Sequence, residues 1–157
     1  MNHRMQISAA KRAVAPLLIL LVAVTASSVL GAPQDKSLYE RLGGKKAITA
    51  VVDQFVTNVA GDARINHYFA PDVADPARLA TFKMNLVNQI CQGSGGPCKY
   101  TGKDMKTAHE GMGITDADFN ALVADLTAAL DKFKVGDKEK NDLLAVLGPM
   151  KPDIVTK

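Results

Sequence analysis

The chain has 157 residues, enough for one domain once a targeting segment is set aside. It is 47% hydrophobic, has no tryptophan and is rich in Ala, Leu, Val and Lys, which favours helices. The formal charge of +3 is carried by Arg4, Lys11 and Arg12; the remainder holds 16 basic and 16 acidic side chains, so composition excludes a nucleic-acid-binding surface.

Residues 1–31 have the form of an export signal. Basic residues come first, an apolar run from Ala13 to Val24 follows, and small residues lead to Ala32. The segment is either cleaved after Val29, Leu30 and Gly31 or kept as an anchor, because Ala13 to Val29 approaches spanning length. The expectation is an exported, periplasmic protein, touching a membrane only through this segment if it is uncleaved. Residues 32–36 form a linker, and 37–157 form the functional domain.

Ser37 and Glu40 have capping-box spacing and start a short helix that stops at Gly43 and Gly44. Ile48, Val51, Val52, Phe55, Val56 and Val59 mark the buried face of a helix over 45–60. Asp62 to Phe69 is predicted as a helical turn that ends before Pro71, with His67 at the end of a surface turn. Pro76 opens a helix over 76–92 whose stripe is Leu79, Phe82, Leu86, Val87 and Ile90. Gly93 to Pro97 breaks it. Residues 98–114 lack periodicity, with one helical turn before His109. Thr115 and Asp118 cap a long helix carrying Phe119, Leu122, Val123, Leu126, Leu130 and Phe133. Asp137 caps a last helix over 137–148, stopped by Gly148 and Pro149. No segment alternates with period two, so no sheet is expected.

Cys91 and Cys98, the only cysteines, bridge a helix end and a loop. In an oxidising compartment they form a disulfide; the alternative is two free thiols, Cys91 being buried on its helix. His67 and His109 are the only histidines after the leader. His109 lies among small and apolar residues with glycines after it, a setting for a metal-ligating imidazole or for a structural histidine. The close ligand pairs of a zinc site are absent, as is the Cys-x-x-Cys-His of covalent haem attachment.

Several segments resemble the group 1 truncated haemoglobins. They are Ser37 to Gly44 (SLYERLGG), Ala47 and Ile48, Phe55, and Tyr68 and Phe69. Then come Gly95 to Pro97, Tyr100 to Gly102, Met105 and Lys106, His109, and Gly113 to Thr115. The match covers about residues 37–150 in the family's order. It implies an all-α fold, a two-over-two helical sandwich around one haem b, built on helices 45–60, 76–92, 116–134 and 137–148. His109 is then the proximal iron ligand, a neutral imidazole oriented through its second nitrogen. The resemblance implies that Phe55, Val56, Phe69, Leu79, Phe82, Lys83, Leu86, Tyr100, Met105, Ile114, Phe119 and Val123 line the haem pocket. Lys99, Lys103 and Lys106 either reach the propionates or form a solvated basic face.

The family's usual distal tyrosine is here Val56, which cannot donate a hydrogen bond. The distal pair of the next helix maps onto Leu79 and Lys83. Lys83 is either a stem covering apolar surface or a distal ligand to the iron. The resemblance implies reversible binding of oxygen or another diatomic gas, NO or CO, at iron held by His109. The alternatives are a haem redox enzyme (a nitric oxide dioxygenase or a peroxidase-like catalyst) that needs an external reductase, and an exported helical binding module without haem.

Overall fold

The computed structural model describes residues 35–157. The expected export signal, 1–31, lies outside the described residues, with the first part of the linker. Among the described residues there are eight α-helices, one 3-10 turn and no strand. No described helix is long and apolar enough to cross a membrane.

The Ser37–Glu40 capping box starts α1 (Leu38–Arg41): the Ser37 hydroxyl accepts the Glu40 amide and the Glu40 carboxylate accepts the Ser37 amide. α2 (Gly44–Gly61) buries the six apolar residues whose spacing marks its inner face. It packs against α4 (Pro76–Gly93) and α6 (Asp116–Lys132), so it is the centre of the fold. α4 starts where Asp75 accepts the amides of Ala77 and Arg78. α6 starts at the Thr115–Asp118 capping box. α7 (Asp137–Leu147) lies against α1 and α4. Arg41 of α1 reaches across to Glu139 and Asp142 of α7, both at 2.5 Å. α4 and α7 approach so closely that a Cβ on Gly93 would stand 2.8 Å from a methyl carbon of Val146.

Four sequence expectations need correction. α3 (Asn66–Val73) does not end before Pro71 but runs through it, and His67 lies in its first turn. Pro71 deprives the His67 carbonyl of its donor, yet Ala74 still donates to Ala70, and Tyr68 and Phe69 hold the helix against the core. Phe133 is 45% exposed and is no part of the α6 stripe, because the helix ends one residue before it. Asp137 is the first residue of α7 and Gly136 its cap. The chain does not stop at Gly148 and Pro149. It continues through a 3-10 turn (Gly148–Met150) into α8 (Lys151–Ile154). Pro149 and Pro152 occupy first-turn positions, where no amide is required, and Ile154 is buried.

Candidate functional site

α5 (Met105–His109) is a five-residue helix held at both ends. Asp104 caps it by accepting the Thr107 amide at 2.9 Å. At its far end Nδ1 of His109 lies 2.7 Å from the carbonyl oxygen of Met105. A carbonyl can only accept, so Nδ1 carries a proton and donates it. The half-buried His109 ring is therefore oriented by its own helix, with Nε2 the nitrogen available to a metal.

Residues 110–114 tie α5 to the end of the chain. Gly111 and Gly113 have φ of 77° and 67°, and the buried Ile114 comes next. The Ile114 carbonyl accepts the amides of Thr156 at 2.9 Å and Lys157 at 3.2 Å, and α8 packs on α5. The segment leading into α5 is tied to α4. Cys91 and Cys98 form a disulfide with their Cα atoms 5.7 Å apart, as expected for an oxidised pair. Gln92 of α4 accepts the Tyr100 amide at 2.7 Å, and the Tyr100 hydroxyl donates to Lys103. Burial pushes the Tyr100 phenol up from its ordinary value. Lys99, Lys103 and Lys106 are exposed.

The remaining residues expected at the site lie on α2, α3, α4 and α6. Phe55 and Val56 are buried in the core, with Phe69, Leu79, Phe82 and Leu86 packed against it. The Phe69 and Phe82 rings are 5.8 Å apart. The Lys83 ammonium is 2.9 Å from Asp53 of α2. On α6, Phe119 lies under the Lys151 ammonium, 5.5 Å from it, and Val123 is half-buried.

Three features are not legible in the sequence. The Tyr68 hydroxyl donates to Asp118 at 3.1 Å, joining α3, with its Phe69, to the start of α6 beyond His109. The Gln89 amide nitrogen of α4 lies 3.3 Å from the Met105 sulfur and 3.2 Å from that of Met150, so α4 meets α5 directly. Ala77, Arg78, Thr81, Phe82 and Asn85, with Asp72 of α3, line an open depression of about 390 Å³. Their spacing of three and four is a helical signal, but most are polar and carry no core signal.

The donor set fits an iron porphyrin. One imidazole, oriented through Nδ1, stands at the end of a short helix, with Met105, Phe119 and Val123 half-buried and Ile114 buried. Among the described residues no group of three or more His, Cys, Asp and Glu stands close enough to hold a bare metal ion.

An all-helical domain without strands among its described residues, with one histidine oriented by a short helix and an aromatic pair packed on its core, has the architecture of a globin. Comparison narrows the class: the family model for bacterial-like globins matches residues 37–156, and the chain belongs to that family, among the group 1 truncated haemoglobins. It is 31% identical to a group 1 truncated haemoglobin of Tetrahymena pyriformis over 78% of this chain and 97% of that one. It is 36% identical to one from Synechocystis, covering 71% and 90% respectively. The solved Fe(III) structure of the Tetrahymena pyriformis protein superposes with a TM-score of 0.71 at 30% identity, covering 78% of this chain and all of that one. The all-helical, two-over-two fold expected from the sequence is thereby established, and the chain is a haem-binding globin with diatomic gas ligands.

Proposed function

We propose that His109 holds one haem b as its proximal ligand and that the loaded protein reversibly binds oxygen, NO or CO. The observation that carries this is the Met105 carbonyl 2.7 Å from Nδ1, which leaves Nε2 free for iron. Phe55, Val56, Phe69, Leu79, Phe82 and Leu86 form one apolar side of the pocket. Tyr100, Met105, Ile114, Phe119 and Val123 form the other. The haem supplies the gas-binding iron. The chain supplies an imidazole of fixed tautomer, apolar surface against the macrocycle, and a distal environment without tyrosine at Val56.

Lys83 enters this reading as a stem that covers apolar surface, its ammonium held by Asp53 of α2. Residues 1–31 direct the chain to the periplasm, and a reductase there keeps the iron ferrous; no membrane contact is needed once the segment is cleaved. Supporting export are the basic, apolar and small-residue order of the leader and the disulfide, which persists in oxidising compartments.

The test is an optical spectrum of His109→Ala beside the parent, ferric and ferrous, with and without each gas. The parent shows a Soret band that responds to the gases. The variant loses the haem or holds it weakly, whereas His67→Ala keeps the parent spectrum. A normal spectrum in His109→Ala would overturn the assignment.

A further inference from the structure

α4 presents two stripes. At 100° per residue, Arg78, Phe82, Asn85 and Gln89 fall within about 60° of one another, and Lys83 points about 130° away from their mean. The Lys83 stripe faces α2: Val87 and Ile90 are buried in the core, Leu79 and Leu86 pack on it, and the lysine pairs with Asp53. The other stripe bounds the open depression and then reaches α5, where Gln89 touches Met105, four residues before His109. The α4 face that meets the helix of His109 is thus the one that carries Asn85.

Along that stripe the polar side chains are committed, with one exception. The Arg78 guanidinium donates to Asp72 at 3.0 and 2.9 Å. The Thr81 hydroxyl donates back to the Ala77 carbonyl at 3.0 Å. The Gln89 amide nitrogen rests against two methionine sulfurs. The half-buried Asn85 amide lines the depression and makes no hydrogen bond to another described residue. Its NH₂ group offers two donors.

We infer that Asn85 is the specificity-determining hydrogen-bond donor to the diatomic ligand, in the polar role that Val56 cannot fill. The inference rests on His109 as the proximal ligand. A neutral amide favours a polarised ligand such as oxygen over carbon monoxide, because only the former accepts a strong hydrogen bond.

The experiment compares the haem-loaded full chain with Asn85→Leu, Asn85→Gln and Lys83→Ala. Asn85→Leu releases oxygen about tenfold faster, as expected for one lost hydrogen bond. It leaves carbon monoxide release within about twofold, since that ligand accepts so weakly. Its C–O stretching band moves toward that of an apolar pocket, and Asn85→Gln restores part of both effects. In ¹⁵N-labelled protein, the side-chain amide signal absent from Asn85→Leu shifts when the parent takes up carbon monoxide. Unchanged oxygen release and an unchanged C–O band in Asn85→Leu would overturn the proposal, as would Lys83→Ala moving both. His109→Ala separates the two readings: if it keeps a normal haem spectrum the proximal assignment fails, whatever Asn85 does.

Discussion

The Lys83 ammonium stands 2.9 Å from a carboxylate oxygen of Asp53, one helix away. The two side chains are 33% and 53% exposed, so water screens the pair. Such pairs contribute about 0–1 kcal/mol, and Lys83→Ala is expected to change unfolding stability in urea by less than about 1 kcal/mol. A pair this weak also opens readily. Lys83 lies on the stripe of α4 that faces α2, so Asp53→Asn and Lys83→Ala are both expected to leave the ferric spectrum unchanged. A six-coordinate low-spin share that rises in Asp53→Asn and falls back when Lys83→Ala is added would put Lys83 on the distal side.

Asp125 lies half-buried on α6. Its Oδ2 is buried without a partner among the described residues, and burial, then the neighbouring Asp62, pushes its carboxyl above the ordinary value. A raised folded pKa means that the folded state binds the proton more tightly. Stability is then fullest below the unfolded pKa and falls as pH rises through the folded one. Asp125→Asn keeps the shape and removes the charge. It is expected to raise the melting temperature at pH 7 and to make no difference, or a small loss, near pH 3. A melting temperature lowered at pH 7 would show that the ionised carboxylate is satisfied in solution.

The Cys91–Cys98 bridge closes a short loop between α4 and the segment that leads to α5. In the chain-entropy model such a loop contributes about 2–3 kcal/mol. Replacing both cysteines by alanine should lower stability by that amount in urea unfolding. The haem band should survive, because neither sulfur is a ligand in this reading. Alkylation of the unreduced protein should label no thiol.

Gly96 lies where the bridge, α1 and α4 meet. A Cβ there would stand 2.5 Å from the Tyr39 ring, 2.7 Å from the Cys91 sulfur and 2.8 Å from the Cys91 carbonyl oxygen. The Gly96 amide donates to that same carbonyl at 2.7 Å, so the backbone cannot retreat without losing the bond. Gly96→Ala should cost about 1–3 kcal/mol by overpacking. A parallel urea titration of Gly61→Ala, where a Cβ would meet nothing within 4 Å, provides the contrast.

Whatever depends on neighbours three or four residues apart is readable from the chain alone. Ser37 with Glu40 and Thr115 with Asp118 specify helix starts, because capping is a contact across one turn. Ile48 through Val59 specify the inner face of α2 for the same reason. His109 stands out because histidine is rare here and its surroundings match a family. Pro149 misleads because a first-turn position resembles a stop: it begins a turn that leads to α8, where Ile154 is buried.

The partners of the polar side chains require the folded chain. Nothing near Asp118 in sequence announces Tyr68, 50 residues earlier, and nothing near Lys83 announces Asp53. Which stripe of α4 faces His109 is likewise beyond the sequence. Both stripes have helical spacing, and the apolar one has the pattern of core; it is core, against α2. Burial of apolar surface is local in pattern and nearly indifferent to partner, so it is written along the chain. A hydrogen bond or ion pair needs two groups within about 3 Å, and chain folding alone brings residues so distant in sequence to that separation.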